Sequence, residues 1–280
     1  MRIWKGIGLS ILWKCHLWPR QIDMGDEQNG QTFRRARARV AWPVAEDSKE
    51  IKEIVCQKAN SLLEGNCHVK VLEAGCGSAS HIRFGGLAHV VGIDISKEQL
   101  AKNIEVQEKI LGDIQEYPLP KEQFDVAVCW MVLEHVSRPK DALLNMFQSL
   151  KSRGLLIVAI PNLISFKGIV TKLTPFWFHV LFYKFMKYKS RPFPTYLRVT
   201  IVPKRIMRFA EDNHFSVVFC RFVEGDAAKK LRARFWLVQA VFSAVNLFAQ
   251  CVSLGRAQSL FLDNCCLILR KDGKESSLSS

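Results

Sequence analysis

A chain of 280 residues, 49% apolar and 24% charged, has the average composition of a soluble globular protein and is long enough to bury a core without disulfide or metal staples, which excludes a disordered chain, a collagen-like fibre and a multi-span membrane protein. Its nine cysteines are scattered, with no C-x-x-C pair and several in apolar runs, so they read as small buried hydrophobes of a reducing compartment. The net charge of +14 is uneven: residues 65–162 carry 10 Lys/Arg against 11 Asp/Glu, whereas residues 163–234 carry 15 against 4, a basic excess that suits a phosphate-bearing partner (anionic lipid, nucleic acid or a phosphorylated substrate), with a merely solvated surface as the alternative.

Residues 1–20 are basic with interleaved Trp and Ile. The apolar run Gly6–Trp13 is short and Lys14 ends it, which makes a poor secretory signal. The stretch reads as an upstream extension before a start at Met24, with a short basic helix on a membrane surface as the alternative. Residues 24–40 read as a disordered entry, and 1–45 together as a basic N-terminal extension. From Glu46 to Gly65 the apolar positions 51, 54, 55, 59, 62 and 63 form a helical stripe. VKVLE (69–73) is a first strand leading into a glycine-rich turn and then a helix, and HVVGID (89–94) is a second strand. Ser96 and Gln99 form a capping box for a helix to about Lys109. ILGD (110–113) and FDVAVC (124–129) are further strands. Pro139 opens a helix that ends before Gly154, and LLIVAI (155–160) is a fifth strand. Alternation of strands and helices predicts a doubly wound α/β sheet. Residues 163–200 interrupt it as an aromatic, basic insertion. Pro203 opens a helix to about Asn213, SVVFCRF (216–222) is a sixth strand, 223–258 is a second insertion, and DNCCLILR (263–270) is the last strand. The domain so read is 46–270, with a polar tail over 271–280.

In the loop Val71–Ser80, a strand running into Gly75 and Gly77 lets a ligand approach the backbone closely. Asp94 ends the second strand 19 residues after Gly75, where an acid accepts hydrogen bonds from ribose hydroxyls. Ser80 stands where the dinucleotide fingerprint needs Gly or Ala. Glu73, two residues before the first glycine, would repel a pyrophosphate and suits a cationic ligand such as S-adenosylmethionine.

These segments resemble the class I S-adenosylmethionine-dependent methyltransferases of the type 11 group, which includes ubiquinone and menaquinone biosynthesis enzymes. VLEAGCGSAS, VVGIDIS, LGDIQEYPLPKEQFDVAVC, WMVLEHV and LKSRGLLIVAIPN occur in the family's order. The resemblance implies a Rossmann-like, seven-stranded, mostly parallel sheet with an antiparallel last strand, and S-adenosylmethionine as cofactor. It implies that Glu73, Gly75 and Gly77 surround the methionine portion, that Asp94 holds the ribose with Ile95 on the adenine, that Asp113 and Ile114 meet the adenine edge, and that Trp130 and Met131 line the floor near the methyl. The family's third glycine is replaced by Ala79.

Methyl transfer to a hydroxyl or amine needs a proton acceptor. His135, following the fourth strand, is the candidate catalytic base; a structural loop role for Glu134 and His135 is the alternative. His81, His179 and His214 are weaker candidates, and no spacing suggests a metal site. The aromatic insertion 163–200 reads as a lid over an apolar or aromatic small-molecule acceptor; without a recognised RNA-binding motif, a nucleic-acid acceptor is disfavoured. Residues 235–254 are apolar except for Gln239, Ser243, Asn246, Gln250 and Ser253, which form one narrow stripe. The expected helix fits an interfacial, dimeric or pocket-wall role better than a membrane span. The expected protein is a cytoplasmic methyltransferase, peripheral on an anionic membrane, of open oligomeric state. A non-catalytic cofactor-binding membrane scaffold and a nucleic-acid methyltransferase are the alternatives.

Overall fold

The computed structural model describes residues 44–45, 48–63, 68–84, 88–163, 165, 174, 201–225, 229, 232–253 and 262–273. In chain order these give β1 (Val44–Ala45), α1 (Ser48–Leu62), β2 (Lys70–Ala74), β3 (His89–Asp94), α2 (Lys97–Lys102), β4 (Glu108–Leu111), β5 (Phe124–Trp130), α3 (Pro139–Ser149), β6 (Leu150–Pro161), α4 (Pro203–Asp212), β7 (Phe215–Val223), α5 (Trp236–Ser253) and β8 (Asn264–Lys271). The strands form one sheet in the order β1-β7-β8-β6-β5-β2-β3-β4. Every pairing is parallel except those of β8, which runs antiparallel to both β6 and β7. The doubly wound α/β expectation with an antiparallel last strand is met. The two-residue β1 adds an eighth strand from the stretch read as extension; two residues carry no periodicity by which to find it.

Central strands buried on both faces need apolar side chains at every position. Leu155 to Ile160 of β6 are all at most 1% exposed. On one face, Val71, Val126, Val128 and Ile157 pack against Ile51, Val55 and Ala59 of α1, the four-residue spacing that puts three side chains on one helix side. On α3 and α4, Phe147 stacks on Phe209, with ring centroids 6.1 Å apart, and on Phe215 of β7 at 3.9 Å. Cys76, Cys129, Cys220, Cys265 and Cys266 are buried thiols, as their apolar surroundings in the sequence suggest.

Two helices depart from expectation. The glycine loop does not run into a helix: residues 76–84 are turns and bends, because their N–H groups bond to carboxylates instead. α2 stops at Lys102, where Asn103 leaves helical geometry and its N–H closes onto the carbonyls of Gln99 and Leu100. The expected continuation to Lys109 is instead a loop over 103–107 and, from Glu108, the start of β4. Residues 1–43 of the N-terminal extension, the cap insertion apart from residues 163, 165 and 174 (His179 included), and the tail beyond Gly273 lie outside the described residues.

Candidate active site

Chain order reverses between β2 and β5: from β2 the strands proceed outward to β3 and β4, and from β5 to β6. Open α/β sheets take ligands at such a switch point, outside the carboxyl ends of the strands. The loops leaving β2 and β5 meet there. A Cβ built on Gly75 would come within 2.4 Å of Val132 Cγ2, so only glycine allows the 131–135 loop to lie against the glycine loop. Gly75 and Gly77 have φ of 66° and 54°, the left-handed region that glycine adopts without steric cost.

Three carboxylates hold the loop. Asp94 accepts the Gly77 N–H on Oδ2 and the Ser96 N–H on Oδ1, both at 2.8 Å. Glu73 Oε1 accepts the His81 N–H at 2.6 Å. Glu105 Oε2 accepts the Ser80 N–H at 2.7 Å and its other oxygen pairs with Arg83. The buried Asn103 donates to the carbonyls of Cys76 at 3.1 Å and Gly77 at 3.4 Å. Asn103 and Glu105 escaped sequence reasoning because their partners lie more than twenty residues back, and no local pattern reports such a contact.

Glu73 is 2% exposed and its Oε2 has no hydrogen-bond partner. Burial pushes its carboxyl up from the usual range, against the lowering effect of the His81 N–H. Burial likewise brings the His81 imidazole down to about 4. The Cys76 thiol, between Glu73 and Asp94, is pushed up to about 12 by burial and then by those two charges.

The other candidates spread around this loop. Ile95 is 75% exposed, an aliphatic surface beside Asp94. Asp113 accepts the backbone N–H of Gln115 at 2.9 Å and its side-chain amide on both oxygens. Gln115 in turn accepts from the Ser137 hydroxyl and the Arg138 N–H, and so ties the loop after β4 to the one after β5. Ile114 is buried, with its carbonyl taken by Asn145. Trp130 is also buried: it packs in the core beneath α1, with Lys52 Nζ 5.5 Å from its ring centroid. Met131 is half-buried at a φ of 56°, its N–H donating to the Ala159 carbonyl at 2.8 Å. His135 sits on the loop after β5 with its side chain 37% exposed and Nε2 4.0 Å from Glu134 Oε1. Glu134 itself is 3% exposed, with Oε2 unpartnered, and burial pushes it up to about 7. His214 lies beyond α4 at a φ of 62°, its carbonyl accepting the Asp272 N–H.

Together, the glycine loop at a switch point, the carboxylate ending β3 and the buried acid before the first glycine form a candidate site for a nucleoside whose far end is cationic. The residues fit S-adenosylmethionine. Glu73 Oε2 lacks a partner that an ammonium would supply, Asp94 retains lone pairs for ribose hydroxyls, and Ile95 offers a flat apolar contact.

Comparison with known proteins points to the same chemistry. Residues 72–158 match the family model described as "Methyltransferase domain". It is 32% identical over 110 residues to "Ubiquinone biosynthesis O-methyltransferase, mitochondrial" of Schizosaccharomyces pombe, covering 34% of this chain and 40% of that one. It is 30% identical over 115 residues to a Mycolicibacterium smegmatis protein named "Probable S-adenosylmethionine-dependent methyltransferase", covering 38% and 44%. The chain thus spans less than half the length of these relatives. A solved S-adenosylmethionine-dependent methyltransferase from Archaeoglobus fulgidus is 15% identical, covers 87% of this chain and 100% of that one, and has a TM-score of 0.48.

Proposed function

We propose that this chain moves the methyl of S-adenosylmethionine to an O, N or C nucleophile of a hydrophobic or lipid-like small molecule. The observation that carries the reading is the unpartnered, buried Glu73 Oε2 beside the glycine loop. An isolated buried carboxylate oxygen is costly, and a cationic ligand end relieves that cost where a phosphate would raise it.

The bound cofactor supplies a methyl on a sulfonium, already activated for displacement. The chain's residues then contribute position and proton transfer. Asp94 fixes the ribose, the glycine backbone lets the methionine portion approach, and Val132 packs the acceptor-side loop onto it. His135, on that loop and partly exposed, takes the proton from a hydroxyl or amine acceptor. The S. pombe relative is an O-methyltransferase by name, so hydroxylated apolar compounds are the first acceptors to try. The ten Phe, Tyr and Trp residues of 163–200, which follow β6 in the sequence, support an apolar or aromatic acceptor over nucleic acid.

Calorimetric titration of the full chain with S-adenosylmethionine, followed by a product-forming assay on such compounds, tests the reading. Binding with turnover is expected. Binding without turnover on any acceptor class would favour a cofactor-holding scaffold, and no binding would end the proposal.

A further inference from the structure

α5 has no charged residue among its 18 positions. Gln239, Ser243, Asn246, Gln250 and Ser253 recur at spacings of 4, 3, 4 and 3, one stripe along the helix. Away from that stripe the helix is apolar, and five of its large side chains lie in solvent: Trp236 is 80% exposed, Leu237 60%, Val241 56%, Leu247 65% and Phe248 70%. Phe242 points elsewhere. It is half-buried, with the Arg232 guanidinium 4.2 Å from its ring centroid, and Arg232 is paired at 2.5 Å with Glu224, the residue after β7. One side of the helix is thus clamped to the domain while a continuous apolar arc faces out. Scattered exposed hydrophobes need no explanation, but a contiguous arc of this kind marks an interaction surface.

We infer that α5 docks the protein on an anionic membrane surface, lying in the headgroup boundary with Trp236, Leu237, Val241, Leu247 and Phe248 inserted. Charge complementarity selects this occupant. Lys229, Lys230 and Arg234 immediately precede the helix in the sequence, and residues 163–234 are net +11; cations of this kind are drawn to anionic headgroups. A second copy on the same face would bring together two chains of net charge +14. Among the described residues no helix is long and apolar enough to cross a membrane, and the polar stripe suits a helix lying flat. The insertion also leaves the sheet at the right place. Asn264, which begins β8, pairs with Val223 ending β7 and with Pro161 ending β6, so α5 springs from the carboxyl edge that holds the glycine loop. A chain seated on α5 brings that edge toward the lipid. The docking stands without the methyltransferase reading; direct capture of a lipid-borne acceptor rests on it.

Co-sedimentation of the full chain with phosphatidylglycerol/phosphatidylcholine vesicles is the test, with pure phosphatidylcholine vesicles and high salt as comparisons. Wild type should pellet with the anionic vesicles at low salt and be partly released by high salt. Trp236→Ser/Leu237→Ser/Phe248→Ser should lower the partition coefficient about tenfold per residue, roughly a thousandfold in all, and stay in the supernatant. Arg234→Glu should weaken binding by roughly fivefold for each unit of charge changed. Should the triple variant fold poorly, Leu237→Asp at the exposed face serves instead. Calorimetric binding of S-adenosylmethionine by the variants separates lost docking from a failed cofactor site. Wild type that stays in the supernatant with both vesicle types would overturn the inference. So would a wild-type dimer that ignores vesicles and dissociates in the triple variant, which would make this face an interface between copies.

Discussion

Replacing Glu134 by Gln should stabilise the protein at neutral and alkaline pH and leave it unchanged in acid. Glu134 is 3% exposed and its Oε2 has no partner, and burial moves the carboxyl from an ordinary 4.5 to about 7. Between those values the folded chain holds a proton that the unfolded chain has released, so stability falls as pH rises through this window. The full penalty is present above pH 7 and absent below pH 4.5. At 1.36 kcal/mol per pH unit, it comes to about 3 kcal/mol. Glutamine keeps the shape and stays neutral at every pH, so Glu134→Gln should recover about 3 kcal/mol at pH 8. For a chain of this size that is roughly 6–12 °C in Tm. Urea or thermal unfolding of both proteins from pH 4.5 to 8.5 measures it. The two stability curves should meet at the acid end and diverge toward pH 7. Parallel curves, or a variant less stable at pH 8, would refute the reasoning and show that Glu134 is stabilised as an anion.

Asp94→Ala should weaken S-adenosylmethionine binding by about 1–3 kcal/mol, the cost of leaving buried polar partners unmade; unchanged affinity in calorimetry would remove Asp94 from the site. Gly75→Ala places a Cβ 2.4 Å from Val132 at a φ of 66°. Steric shift and left-handed backbone together should cost about 2–5 kcal/mol of stability, read as a lowered urea midpoint with reduced cofactor affinity; a variant as stable as wild type would contradict the packing of the two loops. His135→Ala should lower turnover about 10²–10⁴-fold with cofactor affinity near wild type, and near-normal turnover would leave His135 a loop residue.

Elements whose stability comes from apolar burial were legible in the sequence. β3 has the bounds expected of it, and α1 and α4 begin and end within a few residues of expectation, because buried strands and amphipathic helices write their packing into the order of apolar residues. Two kinds of feature were not legible. A helix was expected after Gly77 because the strand–glycine pattern commonly leads into one; here Ser78, Ser80 and their neighbours are poor helix formers, and distant acids take the N–H groups that would have started it. Trp130 reads from its place after the fourth strand as a pocket residue. The alternation of side chains along β5 instead turns it to the α1 face, with Val126 and Val128. The contacts of Glu73 and Asp94 with the glycine loop were legible because their spacing from the glycines is local, whereas Glu105 reaches the same loop only through the fold.

The use of acids in place of a helix start decides which ligand the loop suits. A helix N-terminus presents free N–H groups and a positive dipole end, which is a site for phosphate. Here the N–H groups of Gly77, Ser80 and His81 are each spent on a carboxylate, so the donors a phosphate would need are already engaged. What remains on offer is acceptor capacity: the second lone pairs on Asp94 and the orphan Oε2 of Glu73. The raised Cys76 thiol, held neutral in part by Glu73 and Asp94, reports the same negative field from inside the loop. Hydroxyls and a cation are the groups that such a field attracts, and a ribose joined to a sulfonium amino acid carries both. The charge of the chain is divided accordingly, with the sheet segment 65–162 at net −1 and the basic excess gathered in the insertions beyond it. The cofactor edge can therefore stay attractive to a cation in a protein whose net charge is +14.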